Sequence, residues 1–576
     1  MPRIAHFKYT IVMSLFLISF WWTGCQPPPA GNNAPHSIVV DSAGIACAEP
    51  HAAAAGLEVL EQGGNAIDAL VAVGFAMAVT YPRAGNLGGG GFLLYRSHDG
   101  KVTSLDFRET APAAATPEMF WQPDGSLDPE KSLIGALAAG IPGTVRGLYL
   151  AHQKFASMPW KDLLQPAIRL ARDGFPVSES LSNLLKEHEA NFKRFPESYR
   201  IFFPGGRAPE PGTVLRQEDL AATLERIAAE GDAPFYQGEI ADKIIAASQR
   251  HGGIFSKSDF LEYTAIERPP VRIAYRDHLL YSMAPPSSGG LMLQGILGTL
   301  QQIDLPNTHA HNRADYIAYL SEVEKQWYAR RNVYLGDPAF VDIPFQMFAS
   351  PDTAAQIARS VSLSRPYPAQ QMPEYARALA PAREAPETTH ISVLDAAGNA
   401  AAMTYTLNGN FGSYLVAGGT GILLNNEMDD FAGKPGAPNL FGLVQGWANA
   451  VEPGKRMLSS MTPTIVEKDG RVAGILGSPG GSTIITAVLQ VVLNKIDYRM
   501  TLAEAMGAGR FHQQWLPDSI KYETGEFSPE ILEELQSRGF DFIETQRLGD
   551  VQAIWRSGNQ WEICCDPRGT GVPVGY

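Results

Sequence analysis

Proline stands at positions 366, 368, 373, 381 and 386. A proline lacks the N–H that helices and sheets use, and it bars the preceding residue from the helical region, so neither a helix interior nor a central strand runs through residues 365–387. The texture then changes within one residue. Thr389 to Leu394 alternates, Asp395-Ala396-Ala397-Gly398-Asn399 forms a turn, and Ala400 to Leu407 alternates again. This spacing predicts a β-hairpin that begins directly at Thr388. The Pro-rich stretch before it reads as a linker or mobile segment.

Upstream, Ile38 to Ala46 reads as β-structure, and the Ala- and Val-rich stretches 50–62 and 66–80, broken at Gly63-Gly64, read as two packed helices. Gly88 to Gly91 leads into a strand at Phe92–Tyr95, with Val102 to Phe107 as its hairpin partner. Residues 142–250 are mostly amphipathic helix, strands return near 271–283, and helices follow from 291 and over 312–334. No fixed-period repeat is present.

Composition narrows the class. With 45% hydrophobic and 18% charged residues, the chain is not disordered, and its 576 residues alone suggest about three or four domains. Sixty acidic against 46 basic residues give a net charge of −14, which argues against a nucleic-acid partner. Four cysteines exclude a disulfide-built scaffold. Cys47, Cys564 and Cys565 have no His or Cys partner at metal spacing and read as structural.

The first 25 residues carry an address. Arg3 and Lys8 precede an apolar run from Ile11 to Trp22, shorter than the roughly 20 residues a membrane span needs, and Thr23-Gly24-Cys25 follows. Small residues directly before a cysteine are similar to a bacterial lipobox, with Cys25 as the lipidated residue; the alternative is an ordinary secretory signal. The expected layout is a lipoprotein-type signal peptide at 1–24 and a tether at 25–37, followed by an exported protein, periplasmic or at the cell surface. No other apolar run reaches spanning length.

Several residue types point to chemistry without proving it. A threonine hydroxyl is a poor nucleophile unless a base lies beside it. A cut before Thr388 would place an α-amine, with an ordinary pKa of about 7.7–8, on the same residue. Ser478-Pro479-Gly480-Gly481-Ser482 enters a helical run at Ile484, so its N–H groups suit an anion or a developing oxyanion as well as a simple tight turn. Arg108 sits at a strand end and offers a fork for a carboxylate. Glu427, Asp429 and Asp430 form an acidic cluster. No second cluster of His, Cys or acids completes a metal set, so an ammonium group suits them better than a metal ion.

Taken together these segments resemble the γ-glutamyltranspeptidases, members of the N-terminal-nucleophile hydrolases. The resemblance runs from about residue 38 to Tyr576. It rests on LDFRETAP (105–112), GIPGT (140–144), Pro285–Gly290, LGDP (335–338), TTHISV (388–393), TYTLN (404–408), GILLNNEMDDF (421–431), PGKRMLSSMTPT (453–464) and GSPGGS (477–482). It implies an α+β fold, the four-layer αββα sandwich. One precursor cuts itself at Glu387–Thr388 into a large (38–387) and a small (388–576) subunit that form one folded unit, a heterodimer. It further implies that Thr388 is the nucleophile, Thr406 its support, and Gly480 and Gly481 the oxyanion hole. Arg108, Ser459 and Ser460 would hold the donor's α-carboxylate, and Asn408, Glu427 and Asp430 its α-ammonium. Lys434 to Leu443 resembles a lid loop, in which Phe441 stands where a tyrosine is common and so lacks a gating hydroxyl. The implied reaction transfers the γ-glutamyl group of glutathione or a relative to water, an amino acid or a peptide, with no metal and no organic cofactor. The rival readings are a glutaryl or cephalosporin acylase of the same superfamily, and a surface lipoprotein that no longer processes itself.

Overall fold

Fourteen strands carry the architecture of the computed structural model, which describes residues 36–375 and 388–576. They are β1 (His36–Val40), β2 (Gly44–Cys47), β3 (Gly90–Arg96), β4 (Val102–Phe107), β5 (Ile266–Arg268), β6 (Val271–Tyr275) and β7 (His278–Ser282). After residue 388 come β8 (Thr389–Leu394), β9 (Ala400–Thr406), β10 (Thr464–Lys468), β11 (Arg471–Gly477), β12 (Gln552–Ser557), β13 (Gln560–Cys565) and β14 (Val574–Gly575). One sheet has the order β14-β2-β8-β9-β3-β4-β5 and the other β1-β13-β12-β11-β10-β7-β6. Every pairing within them is antiparallel.

The two sheets stack face to face, and helices close both outer faces. Helices α1 (Pro50–Glu61), α2 (Ala66–Thr80) and α3 (Thr144–Phe155) cover the first sheet, whereas α4 (Gly289–Leu300), α5 (Ala314–Tyr334) and α6 (Ile484–Ile496) lie on the side of the second. This is the expected four-layer αββα sandwich. The period of two in β8 and β9 sorts their residues between layers. Ile391, Val393, Ala401 and Met403 join the helix-side core, while Leu394, Ala400 and Ala402 meet Ile475 and Ile554 between the sheets. Both faces of the hairpin are therefore buried, and most of its polar side chains are hydrogen-bonded internally, the Thr389 hydroxyl being the exception. His390 shares hydrogen bonds with Thr404 Oγ1 at 2.7 Å and Ser392 Oγ at 3.1 Å, and burial lowers its pKa to about 3, so it is a neutral core residue.

Local signals explain the helices. Asn65 and Asp68 form a reciprocal capping box at the start of α2, with the Asn65 N–H donating to Asp68 at 2.8 Å. All fifteen residues of α2 are buried, because α1, α3 and the sheet surround it.

Strands from either side of residue 388 alternate in space. β8 and β9 lie between β2 and β3, and β10 to β13 lie between β1 and β7. The described residues all fall within one compact unit, in place of the several domains that length alone suggests.

Two expectations change. Strand structure starts at His36, inside the stretch read as tether, and the β-like start resolves into two strands, β1 and β2. The described part of the Pro-rich segment is anchored rather than loose. Tyr367 N–H donates to Glu322 at 2.8 Å, Ala369 N–H donates to Asp518 at 2.9 Å, and Ala369 and Met372 are buried. Proline prevents regular structure there but not docking. The signal peptide, Cys25 and Glu387 lie outside the described residues. No described helix is long and apolar enough to cross a membrane.

Candidate active site

Thr388 sits at the head of β8, buried at 4% exposure. The ladder pairs Thr389 with Tyr405, so one register step further Thr388 faces Thr406 at the end of β9. Thr406 Oγ1 in turn accepts the N–H of Asn408 at 2.8 Å. Asn408 has a φ of 78°, a left-handed conformation that asparagine tolerates, and this turns the chain out of the strand and over the site.

Residues far apart in sequence converge on this point. Arg108, Thr388, Thr406, Asn408, Glu427, Asp430, Phe441, Ser459, Ser460 and Gly481 all line one cavity of about 20 Å³. Gly480 is the neighbour of a lining residue but not part of the wall. A wider cleft of about 700 Å³, with Lys468, Arg471 and Arg499 on its rim, contains none of these residues. Convergent buried polar groups, not size, identify the site.

The glycine turn behaves as its sequence suggests. Gly480 and Gly481 have φ of 134° and 54°, and the Gly480 carbonyl accepts from the N–H and the hydroxyl of Thr483. A short 3₁₀ turn, Gly481–Thr483, then feeds into α6. A side chain at position 481 has no room, since a Cβ would come within 2.2 Å of the Phe441 ring.

Arg108, expected at the opposite end of the site from the acids, instead contacts them. Its two terminal nitrogens ion-pair with Glu427 and Asp430, and Glu109 lies at 3.5 Å. The physical reason is that a fully buried guanidinium is costly unless paired. Burial works against its charge, but Glu427, Asp430 and Glu109 more than offset this and hold its pKa above the ordinary value. Burial also pushes Glu427 well above the carboxylate range and raises Asp430, against the pull of Arg108. Arg108 is thus shared among three acids, with Arg331 acting on Asp430 and Arg456 on Glu109 as further positive charges.

The Pro285–Gly290 motif, which sequence reading left without a role, is a cradle for the two serines. Ser459 N–H donates to the Pro286 carbonyl at 2.8 Å, and Ser288 donates through both its N–H and its hydroxyl to the Ser459 carbonyl. The Ser287 hydroxyl donates to the Met461 carbonyl at 2.6 Å. Gly289 is required because a Cβ would lie 2.4 Å from Thr462 Oγ1.

The segment 434–443 closes the cavity. Asp429 accepts the Leu440 N–H at 2.7 Å and the Ser132 hydroxyl at 2.7 Å, and burial lifts its pKa to about 7. Phe441 packs on Gly481, and its carbonyl accepts from Gln514 Nε2 at 3.4 Å. Closure thus rests on ring packing and on Asp429, which takes no part in lining the cavity. Sequence reading noted Asp429 only as one of three acids, and it passed over Arg331, which also lines the cavity. Arg331 sits in Ala329-Arg330-Arg331-Asn332 of a long helix, where adjacent arginines ordinarily mark a solvated face. Among the described residues no group of three or more His, Cys, Asp and Glu is arranged to hold a metal ion.

Comparison with known proteins places this geometry in context. The family model described as Gamma-glutamyltranspeptidase matches residues 52–576. The glutathione hydrolase proenzyme of Escherichia coli K12 is 47% identical over 545 residues, covering 94% of this chain and 93% of the relative. Among solved structures, the cephalosporin acylase from Bacillus halodurans superposes with a TM-score of 0.83 at 26% identity, covering 96% of this chain and 99% of its own. A chain of the Helicobacter pylori gamma-glutamyltranspeptidase matches with a TM-score of 0.55 at 39% identity, over 56% of this chain and 93% of its own.

Proposed function

This chain belongs to the γ-glutamyltranspeptidase family of glutathione hydrolases, and from that premise we propose how its own residues perform the chemistry. The activity is γ-glutamyl transfer and glutathione hydrolysis by an N-terminal-nucleophile enzyme. One observation carries the residue-level reading: the fold gathers Thr388, Arg108, Asp430, Ser460 and Gly481 around a single cavity.

In this reading the precursor first cuts itself. The Thr388 hydroxyl attacks the carbonyl of Glu387, the acyl group moves from nitrogen to oxygen, and water releases it to leave Thr388 with a free α-amine. That amine then serves as the base. It takes the hydroxyl proton as Oγ attacks the γ-carbonyl of the donor, and it returns the proton to the departing amine. The N–H groups at Gly480 and Gly481 face the oxyanion of the tetrahedral intermediate. Water or an acceptor amine then attacks the γ-glutamyl ester, loses its proton to the same base, and regenerates Thr388.

Recognition of the amino-acid head places the γ-carbonyl at Oγ. Ser459, Ser460 and Arg108 take the α-carboxylate, and Asn408, Glu427 and Asp430 take the α-ammonium. Since Arg108 already pairs with those acids, the zwitterion inserts into an existing ion-pair network and exchanges partners there. Phe441 covers the bound group. The two processed chains stay together as a heterodimer. Amino acids and peptides are the acceptors, and Cys25 anchors the exported enzyme to a membrane through lipid.

The test is direct. The protein lacking residues 1–24 is purified, its chains are weighed, and γ-glutamyl-anilide is compared with glutaryl-anilide. The reading expects two chains, the smaller beginning at Thr388, and preference for the γ-glutamyl donor. An uncut chain inactive on both donors would refute it, and preference for the glutaryl donor would favour the acylase alternative.

A further inference from the structure

Arg331 is the second guanidinium of the cavity wall, 1% exposed at the C-terminal end of α5. Its surroundings differ in kind from those of Arg108. Nε donates to Ser288 Oγ at 2.9 Å, Nη1 to Asn332 Oδ1 at 2.9 Å and Nη2 to Ser460 Oγ at 2.8 Å. Among the described residues no carboxylate forms an ion pair with it, although Asp430 is near enough to favour its charge. A fully buried cation whose hydrogen bonds all go to neutral oxygens keeps charge in reserve for a further anion.

The hydrogen-bond bookkeeping at the serines shows where that anion belongs. A serine hydroxyl has one proton and two acceptor positions. Ser288 receives from Arg331 and spends its proton on the Ser459 carbonyl at 2.7 Å, so it supports the backbone only. Ser460 receives from Arg331, and no described residue takes its proton. Ser459 likewise receives the Met461 N–H at 3.1 Å and keeps its proton. Both hydroxyls belong to the cavity wall.

We propose that Arg331 is a positioning residue for the carboxylate end of the donor: by occupying the acceptor side of Ser460 it turns that hydroxyl proton toward the incoming α-carboxylate, and it adds positive charge to that of Arg108, which is shared with Glu427 and Asp430. This rests on the γ-glutamyl reading above and adds a specificity device to it. Arg331 acts through Ser460 and through its field, so it governs recognition of the carboxylate directly and of the ammonium group only through Asp430.

Three anilide donors separate these effects. γ-Glutamyl carries both head charges, glutaryl only the carboxylate, and 4-aminobutanoyl only the ammonium. Arg331→Met and Arg331→Lys are compared with the parent, after weighing the chains to confirm that each variant is processed. For Arg331→Met the expected result is a KM raised about ten- to a hundredfold for the two carboxylate-bearing donors with little change in kcat, and a change in kcat/KM at least about fivefold smaller for the 4-aminobutanoyl donor. Arg331→Lys keeps the charge and recovers part of the loss. In a double-mutant cycle, adding Ser460→Ala to Arg331→Met costs little more than Arg331→Met alone. Equal losses on all three donors, additive effects with Ser460→Ala, or failure of both variants to process would overturn the proposal by making Arg331 a general structural residue. If the parent itself does not turn over the γ-glutamyl donor, the underlying function reading falls instead.

Discussion

Thr388 faces Thr406 across the β8–β9 ladder, one step past the pair Thr389–Tyr405. The candidate nucleophile is therefore placed by sheet register, which fixes position far more tightly than a loop does. Thr388→Ala is expected to abolish both self-cleavage and turnover, read by mass and by anilide release. Thr406→Val deletes the hydroxyl that accepts the Asn408 N–H and leaves that buried donor unsatisfied. A loss of about ten- to a hundredfold in kcat is expected, together with a stability loss of about 1–3 kcal/mol read from the melting profile. Full activity in Thr406→Val would show that this hydroxyl supports nothing.

Gly481 and Phe441 are coupled by contact, because a Cβ at 481 would meet the Phe441 ring at 2.2 Å while also straining a φ of 54°. Gly481→Ala should reduce kcat by about a hundredfold or more by displacing an oxyanion donor. Adding Phe441→Ala removes the clash but not the backbone strain, so partial recovery is expected. Strict additivity of the two changes in kcat/KM would mean that the ring and the turn act independently.

The Arg108 cluster should respond asymmetrically. Arg108→Met leaves buried carboxyl groups without their cation, and a loss of stability of about 3–5 kcal/mol is expected. Glu427→Gln keeps the shape and replaces a carboxyl already held well above its usual range by burial, so it should cost much less. Denaturant midpoints of the two variants decide the point; equal losses would contradict a Glu427 carboxyl whose charged form is disfavoured by burial.

Asp429 gives stability a pH dependence of known sign. Burial raises its carboxyl from 3.8 to about 7 in the folded protein, so the folded state binds the proton more tightly than the unfolded chain does. Its contribution is complete below about pH 4 and is lost as pH rises toward 7, at no more than about 1.4 kcal/mol per pH unit. Asp429→Asn can still accept the Leu440 N–H and meet Ser132, but it does not titrate. Melting temperatures from pH 4 to 8 should show the variant gaining on the parent as pH rises, and a constant difference would exclude this role for Asp429.

Much of the layout was legible because its signals are local. The capped, Gly-broken helices α1 and α2, the hairpin after Pro386 and the glycine entry to α6 each follow from a few neighbouring residues. Positions quoted for the family resemblance, such as Arg108, Glu427 and Ser460, do meet at one cavity. Arg331 escaped notice and Asp429 was given no separate role because their meaning lies in partners over a hundred residues away, Ser460 and Ser132. The Pro-rich stretch was misread in its first part, because proline content reports the loss of backbone donors and says nothing about a surface on which the chain can dock.

By itself, the sequence determined the type and order of the main strands and helices, and which residue types were available to attack an amide and hold a zwitterion. Those properties depend on backbone chemistry and short-range spacing. Only the tertiary structure decided that Arg108 is already paired with the acids it was expected to oppose, that a second arginine stands behind Ser460, and that Phe441 closes the cavity by packing on Gly481. Burial is the reason: once charges leave water each must find a partner, and which partner is within reach is a property of the folded layers, not of the order of residues along the chain.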